Sequence, residues 1–449
     1  MLEEEKKEEL LALLTGKKYR ELKSQLVEMN EVDIASFIEE LDSEKTVVVF
    51  RMLPKELASE VFACLEVEQQ QHIITSITDN ELRAIIDDLY VDDAVDMLEE
   101  LPATIVRRVL QNSSPDTRKL INQFLNYPEN SAGSVMTAEY VGLKKNMTVE
   151  QAFDYIRKYG VDKETIYTCY VMDEKRRLEG VVTVKDLLMN DYAALMGDIM
   201  DPHVIKAYTT EDQEKVVETF NEYNLLSLPV VDGEDRLVGI ITVDDVMDVM
   251  EQEATEDFEK MAAMLPSEKP YLKTGVFQLA RNRIPWLMIL MLSSMVTGGI
   301  LLKYENAFSV IPLLVTFIPM LMDTGGNAGS QASVSIIRGI SLDEIRFYDL
   351  PGVIWKEARV ALLCGVTLSA ANFVKLMLFD RVAVQVAFVI CITLVVTVFV
   401  AKIVGCSLPM LAKKIGFDPA VMASPFITTI VDALSLVIYF QIATVLLQF

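Results

Sequence analysis

Asp432 stands near the middle of SPFITTIVDALSLVIYF with apolar residues on both sides. An isolated carboxylate at such depth costs about 2.5–3.5 kcal/mol on insertion scales, so it must face protein or water and is a candidate for function. Ser424, Thr428, Thr429 and Ser435 lie at −8, −4, −3 and +3 from it, on its face of a helix. A polar stripe ending on an acid describes a cation path; the alternative is a protonated Asp making one interhelical hydrogen bond. A second polar segment, PMLMDTGGNAGSQAS from Pro319 to Ser333, carries Thr324, Asn327 and Gln331, with Ser335 just beyond, at spacings of three or four. Gly325, Gly326 and Gly329 allow close backbone approach and local unwinding, and freed carbonyls at membrane depth are tolerated where they line a water-filled path. A packing seam between helices would also use these glycines, but it has no need of Asn327 and Gln331 together. Asp323 either adds charge to the path or sits nearer its mouth.

The segments that must position these residues are long and apolar. Five stretches, at about 284–303, 309–337, 354–379, 383–411 and 419–447, approach or exceed the ~20 apolar residues needed to cross a bilayer. The connections after the first and third are short, whereas those after the second and fourth gather Arg338, Arg346, Lys356 and Arg359, then Lys402, Lys413 and Lys414. Cytoplasmic loops carry the excess of Lys and Arg, which puts these connections in the cytosol and Phe449 outside the plasma membrane. Five spans in one copy leave little room for a central pathway, so a homodimer in the lipid bilayer is expected.

Charge divides at the same place. The 449 residues carry a net −25, yet residues 281 to 449 hold 12 Lys and Arg against 9 Asp and Glu. Residues 1 to 280 therefore stand at −28, which repels nucleic acid and attracts cations. The five cysteines are too scattered for a disulfide framework, and no Cys/His cluster suggests zinc. The opening MLEEEKKEELLALL is charged and amphipathic and lacks the apolar core of a secretory signal, so residues 1 to 280 are expected in the cytosol.

Within that part, VMDEKRRLEGVVTVKDLL (Val171 to Leu188) aligns without gaps, at an offset of 59, with VVDGEDRLVGIITVDDVM (Val230 to Met247), and eight of eighteen positions are identical. Ser134-Val-Met-Thr precedes one copy and Asp198-Ile-Met-Asp the other, each followed by an amphipathic stretch, near 148–159 and 211–223. Each unit reads strand, helix, strand, strand, helix, with Gly180 and Gly239 at the turns into apolar strands. The pattern resembles a tandem pair of CBS domains, whose cleft often takes adenosine nucleotides. The resemblance implies nucleotide contacts at Thr183 with Asp186 and at Thr242 with Asp245, with ATP as a modulator.

Residues 1 to 130 read as all-helical. DIASFIEEL from Asp33 and DAVDMLEEL from Asp93 recur at an offset of 60, with apolar residues at three-to-four spacing, which suggests a stack of helices. The only histidines, His72 and His203, have no acid-base partner in sequence, so no enzyme is expected. Acidic residues cluster instead. Asp244, Asp248 and Glu251 lie within about 60° of one another on a helix, flanked by Asp245 and Glu256, and Asp92, Asp93 and Asp96 repeat the feature upstream. One such face is ordinarily just solvated; two in different domains suit hard, oxygen-ligated ions such as Mg²⁺ or Ca²⁺ bridging surfaces that separate when the ions leave.

The order of parts resembles the MgtE family of bacterial magnesium channels over essentially the whole chain: a helical acidic region ending in Ser131-Ala-Gly-Ser-Val-Met-Thr, a CBS pair, an acidic linker, and five spans with GGNAGSQ in the second and Asp432 in the fifth. The expected organisation is a multi-domain membrane protein. It has an all-α helical-repeat domain over 1–130, α+β tandem CBS domains over 131–252 (131–195 and 196–252), a linker or plug helix over 253–283, and an α-helical transmembrane domain over 284–449. The resemblance implies a homodimer that passes Mg²⁺ down its gradient into the cell. Asp432 would meet its symmetry mate on the pore axis, with Asn327, Gly325, Gly326, Gly329, Gln331, Ser424 and Thr428 along the path. It also implies regulatory Mg²⁺ at Asp92, Asp96, Glu214, Asp245, Asp248, Glu253, Glu256, Asp257 and Asp418, closing the pore when cytosolic Mg²⁺ is high. A transporter of Co²⁺ or Mn²⁺ would keep every feature. A membrane-tethered nucleotide sensor without transport would keep the CBS pair but have no need of Asp432.

Overall fold

The computed structural model describes residues 4–267, 271–272, 274–304, 312–342 and 344–447, with the side chain of Ser424 outside them. It divides into two compact units, Met1–Val249 and Met250–Phe449.

The first unit opens with ten short helices among the described residues, α1 (Glu4–Thr15) to α10 (Pro115–Phe124). From α2 (Tyr19–Leu26) onward the capping position recurs every twelfth residue, at Lys18, Asn30, Asp42, Pro54, Glu66, Thr78, Tyr90, Pro102 and Ser114. The offset of 60 read between Asp33 and Asp93 is five such steps. Helices this short are unstable alone, so α1 and α2 pack on each other and the helices from α3 onward bury their apolar faces on neighbours two places away. Thus α3 (Glu31–Glu39), α5 (Lys55–Ala63), α7 (Asp79–Ile86) and α9 (Ala103–Asn112) pack in series, as do α4 (Ser43–Phe50), α6 (Val67–Ser76), α8 (Val91–Glu100) and α10. Phe37, Phe62, Ile73 and Phe124 are fully buried between them. This is the expected helical-repeat stack.

Two three-stranded sheets follow. In the first, β1 (Val141–Lys144) pairs parallel with β2 (Thr168–Met172), which pairs antiparallel with β3 (Leu178–Thr183); β4 (Ala207–Tyr208), β5 (Ser227–Val231) and β6 (Leu237–Thr242) repeat the arrangement. Helices α11 (Val149–Tyr159) and α12 (Val184–Met189) belong to the first copy, a single turn α13 (Met196–Ile199) lies between, and α14 (Gln213–Tyr223) and α15 (Val243–Met261) belong to the second. Gly180 and Gly239 lie inside β3 and β6, not at turns. A Cβ at Gly180 would meet Met200 Sδ at 2.6 Å, and one at Gly239 would meet the Thr137 carbonyl at 2.6 Å. These approaches let Asp201 bridge to Val181 and Thr137 to Ile240, so the segment leading into each copy extends the sheet of the other.

The second unit is a helical bundle: α16 (Val276–Lys303), α17 (Ile318–Ser341), α18 (Leu350–Lys375), α19 (Val384–Lys414) and α20 (Ser424–Leu447). Among the described residues, four helical segments are long and apolar enough to cross a membrane: Val276–Lys303, Phe347–Asp380, Val384–Lys414 and Pro419–Leu447. The 24-residue α17 reaches ~36 Å at 1.5 Å per residue but is not among them, because TGGNAGSQAS occupies its middle. The start of that expected span, 309–311, lies outside the described residues. α19 is the central helix, packed on α17, α18 and α20, whereas α16 and α18 leave most of their apolar surface exposed.

Two expectations need correction here. Lys402 does not sit in a cytosolic connection; it lies inside α19, 6 % exposed, with its ammonium 3.5 Å from the Glu357 carboxylate on α18. An opposite charge is what makes a lysine tolerable at such a place. Nor does one linker helix span 253–283: α15 ends at Met261, Ala263 turns through φ 55°, and α16 begins at Val276.

Candidate functional site

The glycine motif and Asp432 meet where α17 crosses α19 and α20. Gly405 of α19 makes the tightest approach, since a Cβ there would stand 2.2 Å from the Gly329 carbonyl oxygen. On α17, a Cβ at Gly329 would meet Ile427 at 2.8 Å, and one at Gly325 would meet the Thr397 methyl at 2.7 Å and Ser435 Oγ at 3.0 Å. At Gly326 the neighbours would be the Thr428 methyl at 3.0 Å and Asp432 Oδ1 at 3.8 Å. α17 runs as unbroken α-helix through all three. The local unwinding expected from the sequence therefore does not occur, and the glycines act by admitting two neighbouring helices.

Asp432 is half-buried at this crossing. The hydroxyls of Thr428 and Thr429 both donate to the Pro425 carbonyl at 2.9 Å. A hydroxyl whose proton is already committed to its own helix offers only lone pairs to anything else, which favours a cation. Ser435 leaves the stripe: it is buried against Gly325 and donates to Val431 at 2.6 Å. Ser424, placed on the path by sequence, has its side chain outside the described residues. On α17, Asp323, Asn327, Gln331 and Ser335 follow one another at intervals of four and are all exposed, while Thr324 is half-buried. Asp323 is near enough for its charge to act on Asp432. Among the described residues, no hydrogen-bond donor and no cation pairs with the Asp432 carboxylate. A half-buried acid beside a second acid, on a helix face that hydrocarbon cannot solvate, calls for a positive charge and a protein or water boundary.

A second acidic assembly lies in the first unit. Burial, then the charges of Asp93 and Asp245, hold Asp92 on α8 well above the usual carboxylate range. Asp93 is pushed up to about 6 by burial with Asp245, Glu139 and Asp244. Asp96 keeps contact with solvent, yet desolvation on its protein side, with Glu99, Asp93 and Asp245, carries it to about 7. Glu164 rises to about 7 through burial and the charges of Asp245, Asp244, Asp93 and Glu139. Asp245 is raised by burial against the opposing hydrogen bonds from Thr242, with Asp244 and Asp248 adding to the rise. The charges of Asp92, Asp93, Asp96, Glu164 and Asp245 thus act on one another, with Asp248 beside Asp245 on α15, whereas Glu214 sits exposed in the first turn of α14. Sequence reasoning missed Glu139 and Glu164, which lie in connections with no periodicity to mark them. Among the described residues, no group of three or more carboxylates, Cys or His is arranged to hold one metal ion directly.

A raised folded-state pKa means that the folded form binds protons more tightly than the unfolded one. The stabilisation is fully present below about pH 4 and is lost as pH rises through the values near 6 and 7 of Asp93, Asp96 and Glu164. Without divalent ions the melting temperature of the first unit is expected to rise by at least about 3 °C between pH 7.5 and 5.5. With millimolar Mg²⁺ that difference should shrink, because the ion replaces the proton. Differential scanning fluorimetry of the intact protein at both pH values, with EDTA or Mg²⁺, checks this; an unchanged melting temperature across all four conditions contradicts it.

The other positions that the sequence resemblance names for Mg²⁺ lie in the second unit. Asp257 is pushed up to about 6 by burial and by Asp418, against the opposing charge of Lys260. Lys260 bridges Glu256 at 2.5 Å and Asp418 at 2.7 Å, and Asp418 also caps the turn Pro419–Met422 by accepting from Ala420 N at 2.8 Å. Glu253 adds its charge to Asp257. Lys260 was not singled out from sequence, although Glu256 four residues before it was a visible helical ion-pair spacing.

The CBS positions proposed for nucleotide are engaged locally. Thr183 donates to Asp186 Oδ2 at 2.6 Å, and Asp186 N donates back to Thr183 Oγ1 at 3.2 Å, closing a capping box on α12. Thr242 and Asp245 make the same hydroxyl bond at 2.6 Å. Both pairs fix the strand-to-helix corner of their own copy.

These parts define a class: a helical membrane protein whose soluble portion joins a helical stack to a tandem CBS pair. Residues 318–442 match the MgtE family, described as divalent cation transporter; 29–130 match the MgtE intracellular N domain; and 132–191 and 196–252 match the CBS domain. The magnesium transporter MgtE of Thermus thermophilus is 38 % identical over 433 residues, 96 % of each chain, and that of Bacillus subtilis is 30 % identical over 435 residues, 97 % of this chain and 96 % of the relative. The chain belongs to the MgtE family. Among solved structures, the soluble part of a magnesium transporter matches with a TM-score of 0.53 at 30 % identity, covering 56 % of this chain and 99 % of that one. The cytosolic domain of the Mg²⁺ channel MgtE in complex with ATP matches with a TM-score of 0.51 at 39 % identity, covering 54 % and 98 %.

Proposed function

We propose that the protein is a magnesium channel that admits Mg²⁺ to the cytosol down its electrochemical gradient and closes when Mg²⁺ binds its acidic soluble part. The observation that carries the reading is Asp432, half-buried against Gly326 with Asp323 acting on it and exposed polar residues of α17 beside it. That polar face of α17 is unsuited to lipid, which supports a second copy across it and a pathway on the axis between the two. α17 then counts as the fifth span, the chain's two ends fall on opposite sides of the plasma membrane, and Phe449 is outside. Mg²⁺ sheds its hydration shell reluctantly, so paired carboxylates with Asn327 and Gln331 select it with water attached. A membrane potential of 100 mV contributes about 4.6 kcal/mol for a divalent ion, so neither an enzymatic step nor ATP hydrolysis is required.

For closure, Mg²⁺ in its water shell would bridge Asp92, Asp93 and Asp96 to Glu164 and Asp245, and would act at Glu253, Glu256, Asp257 and Asp418 on the linker. Mg²⁺ usually keeps several of its waters, so carboxylates can bind it through that shell. ATP is the modulator suggested by the neighbour solved with that nucleotide, bound at the CBS pair. The test is flux into liposomes under inward gradients of Mg²⁺, Co²⁺, Mn²⁺ and Ca²⁺, with and without internal Mg²⁺. Mg²⁺ should enter and should be slowed from inside. Preferential entry of Co²⁺ or Mn²⁺ would reassign the substrate, and no flux of any ion would leave the tethered-sensor reading.

A further inference from the structure

We propose that Asp323 forms a second cation position in the pathway, outward of Asp432, which captures the hydrated divalent ion and passes it inward to that acid. The inference rests on the channel reading above and deepens it by adding the residue that sets affinity on the outer side. Contacts at the crossing order the residues in depth. Along α17 the neighbours on α20 run backward, from Ser435 at Gly325, through Asp432 and Thr428 at Gly326, to Ile427 at Gly329. The two helices are therefore antiparallel. With the amino-terminal part in the cytosol, α17 runs inward, and Asp323 stands three residues, about 4.5 Å of helix rise, outside the level of Gly326 and Asp432.

Outward of Asp432, α20 has little to offer a cation. Ser435 is buried, with its proton given to the Val431 carbonyl at 2.6 Å, and Leu436, Tyr439 and Phe440 beyond it are buried in the apolar core. An ion arriving from outside therefore meets its oxygen ligands first on α17. There Asp323 is exposed and opens the row that continues through Asn327, Gln331 and Ser335 at intervals of four. Among the described residues, no hydrogen bond or ion pair engages its carboxylate. An apolar span has no structural use for an unpaired acid, and the charge of this one acts on Asp432. Two negative positions so close let an incoming ion loosen the one ahead of it, so that the inner acid binds without becoming a trap.

The test measures Mg²⁺ uptake by right-side-out membrane vesicles carrying the full-length protein, as a function of external Mg²⁺. Asp323→Asn, which keeps the shape, should raise the half-saturating concentration about threefold to tenfold, the scale of one exposed charge acting on a divalent ion, and leave the maximal rate within about twofold. Asp323→Glu should stay close to wild type. Asp323→Cys should become sensitive to external Cd²⁺, which a thiolate holds far more tightly than a carboxylate does, at a concentration that leaves wild type little changed. An unchanged half-saturating concentration in Asp323→Asn, or a maximal rate that falls without any change in it, would overturn the proposal. So would Asp323→Cys uptake that Cd²⁺ does not touch. Failure of the channel reading is distinct: wild type itself then takes up no Mg²⁺, and the inference falls with it.

Discussion

Asp432→Ala is expected to reduce Mg²⁺ flux into liposomes at least about 30-fold, with the protein still folded and inserted. The argument starts from the crossing. Gly326 lets the α17 backbone come close enough that a Cβ there would touch Asp432 Oδ1 at 3.8 Å, and Thr428 turns only acceptor lone pairs outward beside it. Removing a carboxylate that contacts a partly desolvated cation costs about 2–5 kcal/mol, and each 1.4 kcal/mol is a factor of ten. In the proposed dimer both copies of the acid would lose the charge together. Asp432→Asn should be nearly as defective, because it keeps the shape and removes the charge. Flux of Asp432→Ala at the wild-type rate, from protein with an unchanged melting temperature, would show that the ion takes another route.

Gly405→Ala should cost the membrane unit about 1–3 kcal/mol, and Gly405→Leu should prevent its assembly. A Cβ on Gly405 would lie 2.2 Å from the Gly329 carbonyl oxygen, 2.9 Å from its carbon and 3.1 Å from its Cα. All three are backbone atoms of a packed helix, so no side chain can swing aside to make room. α17 and α19 must separate, and with them go the contacts of Gly325 and Gly329 that hold Asp432 at the crossing. Gly352, in the first turn of α18, is the control, since a Cβ there has nothing within 4 Å. Gly352→Ala should change the melting temperature little. Equal melting of Gly405→Ala and wild type in detergent would mean that the two helices do not approach as described.

Much of this was legible beforehand because it is written in periodicity. The CBS repeat could be seen as a gapless alignment, and Asp432 stood out because a carboxylate in an apolar helix is costly wherever the helix goes. The helical stack was visible as an offset of 60, although the true step of twelve residues is marked by caps whose residue types vary from Asn30 to Tyr90 to Ser114. Capping depends on backbone shape as much as on side chain, so the eye finds no constant letter. Lys402 was misread for a related reason: charge in a sequence does not say whether a partner such as Glu357 waits 45 residues away.

The sequence by itself determined which segments are apolar, which are acidic, which repeat, and that Asp432 stands in the middle of an apolar span. Those properties belong to single residues and their near neighbours, and local spacing carries them in full. Only the tertiary structure decided that the glycines of α17 admit α19 and α20 instead of unwinding, that Glu139 and Glu164 join Asp92 and Asp245, that each CBS copy lends its leading segment to the other sheet, and that Lys260 stands between Glu256 and Asp418. Each of these is a meeting of residues distant along the chain. What selects it is the fit of surfaces, a Cβ that would or would not collide and a charge that does or does not find its opposite, and that is fixed only when the chain has closed on itself.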